Sequence, residues 1–176
     1  MKNTVKKSLL CLSIVSTLGA VASTEAMAQD AGFFVSGQAG QSRFDIGGGF
    51  GKKNATAAGI GVGYNFNPIV ALELGYNDYG KVNFSGVDGT AKSTQLSVLL
   101  TAPIANEFSV YGRLGAASTE RKISGFGFSN SERKSEAVYG VGLAYNFAKN
   151  IKGTVEYQKL NDTKVDAITA GVKFNF

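Results

Sequence analysis

The run from Ala58 to Asn77, AGIGVGYNFNPIVALELGYN, decides the fold class. Read at a period of two, Ala58, Ile60, Val62, Tyr64 and Phe66 share one face, while Gly59, Gly61, Gly63 and Asn65 share the other. Asn67-Pro68 is a turn signal. Beyond it, Val70, Leu72, Leu74 and Tyr76 continue the apolar face, opposed by Ala71, Glu73, Gly75 and Asn77. Two alternating strands joined so briefly form an antiparallel hairpin.

The register recurs on both sides of this hairpin. Leu96, Val98, Leu100 and Ala102 oppose Gln95, Ser97, Leu99 and Thr101; after a turn at Pro103 to Asn106, Val110, Gly112 and Leu114 oppose Ser109, Tyr111, Arg113 and Gly115. A third hairpin sets Tyr139, Val141, Leu143, Tyr145 and Phe147 against Gly140, Gly142, Ala144 and Asn146, and returns with Val155 and Tyr157 against Thr154, Glu156 and Gln158. Single strands flank the set. One runs from Phe33 to Phe44, and the last places Ile168, Ala170, Val172, Phe174 and Phe176 opposite Thr169, Gly171, Lys173 and Asn175. The expectation is an all-β chain: an eight-stranded antiparallel up-and-down barrel.

Both a soluble barrel of lipocalin type and a membrane barrel alternate in this way. The polar face separates them. A water-facing surface would carry many Lys and Glu, whereas this face is Gly, Ala, Ser, Thr and Asn with single charges, which suits a narrow lumen. The aliphatic face then meets lipid, and the barrel is transmembrane. No later stretch approaches the roughly 18 consecutive apolar residues of a membrane helix, so a closed barrel is the only way such a chain could span. The short connections at Asn67, Pro103 and Ala148 are expected on the periplasmic side, and long loops over 45–55, 80–93 and 118–134, with the connection at 161–166, outside.

Lys2, Lys6 and Lys7, the apolar stretch Leu9 to Ala22 and the small-residue site Ala26-Met27-Ala28 read as a secretory signal peptide. Residues 1–28 are therefore expected to be cleaved on export through the general secretory pathway, leaving 29–176 as the barrel domain. The single Cys, Cys11, falls within the signal, and the chain has no His. Ser-His-Asp triads, thiol nucleophiles and ordinary zinc sites are thereby removed, so no enzyme activity, metal or cofactor is expected. A net charge of +5 without a basic run gives no footing for nucleic acid. Gly47 to Lys52 superficially resembles a phosphate-binding loop, but Ile46 and Lys53 stand where that motif needs Gly and Ser or Thr.

Leu72-Glu73-Leu74-Gly75-Tyr76-Asn77, Val110-Tyr111-Gly112-Arg113-Leu114-Gly115 and Val155-Glu156-Tyr157-Gln158, in this order and spacing, resemble the OmpA-like transmembrane barrel family, which includes the small barrels of the OmpX and Ail group. The resemblance implies an outer-membrane location in a Gram-negative cell, among lipid and lipopolysaccharide. It further implies that Glu73, Arg113 and Glu156 belong to a lumen charge network discussed in that family as a gate. Leu99 and Thr154 stand where the family has basic residues, and Lys173, inward by parity and one strand from Glu156, is the compensating cation. An isolated charge in a dry lumen is costly, so these groups are expected to pair. Phe174 and Phe176 resemble the terminal signal read by the outer-membrane barrel assembly machinery, with periplasmic chaperones as escorts. The larger OmpA proteins continue into a peptidoglycan-binding domain, and since this sequence stops at Phe176, cell-wall anchoring is not carried over.

Three functions follow from this reading. A structural role in membrane integrity is favoured because side chains fill a lumen of this strand number. A small porin-like channel is the alternative that the inward glycines allow. The third is a surface adhesin, in which Lys52, Lys53, Arg121, Lys122, Arg133 and Lys134 on the outer loops bind lipopolysaccharide phosphates or an acidic host surface ligand.

Overall fold

The computed structural model describes residues 31–45, 52–84, 87–125, 128–162 and 165–176. The expected signal peptide and the glycine-rich run at 46–51 lie outside them. Eight strands follow in order: β1 (Gly32–Asp45), β2 (Lys52–Asn65), β3 (Val70–Phe84), β4 (Val87–Pro103), β5 (Phe108–Gly125), β6 (Phe128–Ala148), β7 (Ile151–Leu160) and β8 (Val165–Asn175). Each pairs antiparallel with its neighbour in sequence, and β1 pairs with β8 from Phe34↔Asn175 to Phe44↔Val165, so the sheet closes into a barrel. Closure leaves no strand edge at the level where lipid would surround it.

Alternation assigns the two faces as the sequence predicts. Ile60, Val62, Leu74, Leu96, Leu114, Val141, Leu143, Ile168 and Val172 are all exposed on the outer wall, a contiguous apolar band far larger than a water-soluble monomer carries. Phe33, Tyr64 and Phe66, Phe108, Tyr145 and Phe147, and Phe174 and Phe176 stack edge-on or tilted at the short-turn end, as an interfacial girdle does. Tyr76, Tyr139 and Tyr157 mark the other end of the band. At the first short turn, Asn67 Oδ1 accepts from the N–H groups of Ile69 and Val70, which fixes the reversal.

The long-turn end departs from expectation. Regions read as loops over 80–93 and 118–134 are paired strand: β3 and β4 run to Phe84↔Val87, and β5 and β6 to Gly125↔Phe128. Beyond the lipid band both faces of a strand meet water, so the aliphatic alternation that marks a strand in sequence disappears while the backbone ladder persists. Opposite charges face each other across it, Glu120↔Arg133 and Arg121↔Glu132. Gly80 marks the transition on β3: the register shifts between Asp78 and Lys81, Gly80 has φ of 83°, and its N–H donates to Asp78 Oδ1.

Candidate lumen site and surface ribbon

The lumen is layered. Nearest the short-turn end lies an apolar cluster of Phe34, Ala71, Leu99, Tyr111 and Ala144, level with the buried Asn65, Ser109 and Asn175. Above it sits a charged cluster. Glu73 on β3, Arg113 on β5 and Glu156 on β7 all point inward by parity and all are buried. Arg113 Nη1 donates to Glu73 Oε1 at 2.5 Å, while Nε and Nη2 donate to Glu156 Oε1 and Oε2 at 2.6 and 3.0 Å, a two-pronged grip on one carboxylate. Neutral donors complete the set: Tyr111 Oη donates to Glu156 Oε2 at 2.8 Å, and Ser36 Oγ donates to Glu73 Oε2, the one oxygen Arg113 leaves, at 3.2 Å.

Arg113 and Glu156 come from strands that are not adjacent. Between them runs β6, and there Gly140 and Gly142 leave the way open. A Cβ on Gly140 would stand 2.8 Å from Glu156 Oε1, and one on Gly142 would stand 2.5 Å from the Tyr111 ring. Glycine at these two inward positions is thus what allows the guanidinium to reach across the barrel.

Lys173 behaves differently from its sequence-based assignment. It faces inward on β8, but its Nζ rests 3.8 Å from the centroid of the Phe34 ring, and it makes no ion pair with Glu156 among the described residues. Register explains the difference: Glu156 is opposite Thr169, whereas Lys173 is opposite Lys152, four residues nearer the short-turn end of β7. A cavity of about 40 Å³ opens beside Lys152 and Lys173 and reaches Glu73 and Arg113. It has room for a few waters.

Two further layers carry residues to which the sequence reading gave no role. Gln38, Asn77, Gln95, Gln158 and Thr169 form an amide belt above the charged cluster. An apolar cap of Ala57, Tyr79, Ala91, Ala117, Val138, Leu160, Val165 and Ala167 closes the long-turn end. The inward parity of the amides was legible; their height relative to the charges depends on register, which it does not encode.

The basic residues expected on loops stand on the strand extensions. Lys122 Nζ and Arg133 Nη2 approach Glu120 at 3.2 and 3.5 Å, and Lys134 Nζ approaches Glu132 at 3.2 Å. The Lys122 ammonium, joined by the Ser131 hydroxyl, holds the Glu120 carboxyl below its ordinary value. Arg121 lies on the opposite face of the ribbon from Lys122, across from Glu132. Lys52 and Lys53 open β2, and their side chains lie outside the described part. Phe174 and Phe176 pack ring to ring at 5.0 Å on the outer wall, and the Phe176 N–H donates to Phe33 O across the barrel seam.

Residues 12–176 match the family described as outer membrane protein beta-barrel domain. The attachment invasion locus protein of Yersinia pseudotuberculosis is 30% identical over 190 residues, covering 98% of each chain. Outer membrane protein A of Shigella flexneri is 31% identical over 130 residues, 69% of this chain, and the match spans 37% of that longer protein. Among solved structures, Ail of Yersinia pestis superposes with a TM-score of 0.62 at 28% identity, covering 82% of this chain and 99% of that one. It has also been crystallised with the heparin analogue sucrose octasulfate. Neisserial surface protein A, at 17% identity and a TM-score of 0.70 over 84% of this chain and 99% of that one, shares the fold.

Proposed function

Because this chain belongs to the outer membrane protein beta-barrel family and is an outer-membrane protein, we propose that it acts as a sealed structural barrel contributing to membrane integrity, with no catalytic role. The observation that carries this reading is the layering of the lumen. The amide layer is backed by the apolar cap Ala57 to Ala167, while on the short-turn side, where a cavity passes the Phe34 to Ala144 cluster, the barrier is the Arg113 cluster itself. The Arg113 cluster fills the space between them with every carboxylate oxygen engaged. Such a stack supports a plug better than the porin-like alternative. The lack of His and of any Cys beyond Cys11 supports a non-enzymatic role. Insertion through the barrel assembly machinery, with periplasmic chaperones delivering the chain and Phe174 and Phe176 read as its signal, belongs to the same proposal. Purified protein in planar bilayers tests it: no single-channel steps are expected, and stable steps would replace the plug with a pore.

A second reading is favoured by the ribbon of β4, β5 and β6, which continues beyond the apolar band and carries Arg121, Lys122, Arg133 and Lys134. Together with the similarity to Ail, it supports binding of an acidic surface polymer, whether lipopolysaccharide phosphate or a sulfated host glycan. Glu120 and Glu132 offset part of that charge. Loss of retention on immobilised heparin when Lys122 and Arg133 are both changed to Glu, with the gel mobility of the folded form unchanged, is the expected result for an adhesin.

A further inference from the structure

Two hydrogen-bond chains circle the lumen above the Arg113 cluster, and both end at the same place. In the first, Ser93 Oγ donates to Tyr79 Oη at 3.4 Å, Tyr79 Oη donates to Gln158 Oε1 at 3.5 Å, and Gln158 Nε2 donates to Gln95 Oε1 at 2.8 Å. In the second, Thr169 Oγ1 donates to Gln38 Oε1 at 3.2 Å and Gln38 Nε2 donates to Asn77 Oδ1 at 2.8 Å. Each chain orients the amide at its end. With the oxygens of Gln95 and Asn77 taken as acceptors, their NH2 groups are what remain.

Both terminal nitrogens are buried and have no hydrogen-bond partner among the described residues. They lie over the inner surface of Gly75: a Cβ built there would stand 3.4 Å from Gln95 Nε2 and 3.7 Å from Asn77 Nδ2. The Ser97 hydroxyl, one inward position along β4 from Gln95, is buried and also without a partner among the described residues, but it leans toward Gly115 on β5. Across the ladder from Ser97 stands Glu73, the inward residue next to Gly75 on β3. Buried polar groups are nearly always satisfied, and a cluster of orphaned donors beside a side-chain-free residue defines a site for an acceptor.

We infer that the inner face of Gly75 is a binding site for one ordered water molecule. The water accepts from Asn77 Nδ2 and Gln95 Nε2, which gives it two of the two to four polar partners that buried waters have. Water satisfies both donors without bringing a further charge into the lumen, which a small anion would do. A metal cation is excluded by the donors themselves. The site joins the amide belt to the charged cluster across β3 and β4, where Gly75 contributes no side chain of its own.

The test is the sign of a mutational effect. Glycine inside a strand ordinarily weakens it, and an alanine methyl at Gly75 meets its neighbours at ordinary contact distances, so Gly75→Ala in an empty space would raise stability. In an occupied site it expels the water and strands two donors. The expected result is a lower urea midpoint for full-length Gly75→Ala in lipid vesicles, with Gly75→Ser, whose hydroxyl takes the water's place, lying between alanine and wild type. In the wild-type protein in nanodiscs, the side-chain NH2 signals of Asn77 and Gln95 should show cross-peaks to a long-lived water. That measurement decides the matter if the alanine variant fails to insert. Absence of the cross-peaks overturns the inference, as does an alanine midpoint equal to or above wild type. A midpoint that depends on chloride, compared with gluconate at equal ionic strength, also overturns it, in favour of an anion.

Discussion

Replacing Arg113 with Met removes the guanidinium that bridges Glu73 and Glu156 while keeping much of its volume. Glu73 is left with Ser36 and Glu156 with Tyr111, so two buried carboxylates lose three charge-assisted hydrogen bonds. Breaking a buried ion pair from one side costs about 3–5 kcal/mol because the abandoned charge cannot return to water. Two carboxylates depend on this guanidinium, which places the loss toward the upper end of that range, roughly several thousandfold in the ratio of folded to unfolded protein. The chain contains no Trp, so unfolding is best followed by tyrosine fluorescence and by the mobility difference between unheated and boiled samples, in urea with lipid vesicles. The decisive control removes the stranded charges as well. Glu73→Gln and Glu156→Gln combined with Arg113→Met should recover most of the loss, since a neutral, packed replacement for a buried ion cluster is often no less stable than the original. A midpoint for Arg113→Met equal to that of wild type would refute the energetic role assigned to the cluster, and a triple variant no better than the single one would refute the cause.

Other consequences can be checked separately. Gly142→Ala drives a methyl into the Tyr111 ring, which is held in place by its bond to Glu156, and should destabilise the barrel by about 1–3 kcal/mol in the same unfolding assay. The ribbon should respond to acid. Glu120 has its folded-state value depressed below the ordinary 4.5, so the support it gives the β5–β6 pairing is complete above that value and is lost as the pH falls through the depressed one. Amide exchange at Thr119 and Glu120, corrected for the intrinsic pH dependence, should therefore show constant protection from pH 7 to 5 and weaker protection only below 4.5. Phe176→Ser takes a ring from the outer girdle and from the expected assembly signal; a lower level of folded protein in the outer membrane, with unchanged urea stability of the refolded protein, is the outcome that assigns Phe176 to assembly rather than to packing.

What the sequence made legible follows from what each environment demands of a side chain. Lipid requires an unbroken aliphatic face and a narrow lumen requires small residues, so the parity of every strand, including the inward direction of Glu73, Arg113 and Glu156, could be read at period two. The extensions of β3 to β6 could not be read, because outside the lipid neither face is constrained to be apolar. Lys173 shows a second limit. Parity says which face a residue occupies and nothing about its height, and the register of β7 against β8 puts Lys173 beside Phe34 and Lys152 rather than level with Glu156. The belt of Gln38, Asn77, Gln95 and Gln158 was hidden for the same reason: four amides on separate strands become a network only once register brings them to one level.

The same limit bears on how the barrel chooses its register at all. A slip of one residue turns a strand inside out and is forbidden by lipid, but a slip of two keeps every aliphatic side chain outside and costs the outer face little. Discrimination against two-residue slips must therefore come from the lumen. On β6 the inward sequence is Val138, Gly140, Gly142 and Ala144, with Gly140 facing Arg113 and Gly142 facing Tyr111 and Glu156. A slip one way would bring Val138 level with Arg113; the other way would bring Ala144 level with Tyr111 and Glu156. Either puts a side chain where a Cβ already comes within 2.5 to 2.8 Å of the cluster. Arg113 can grip Glu156 across β6 only when both glycines lie between them. A buried charge cluster that adds little to net stability can in this way specify one alignment among several that the membrane would tolerate equally.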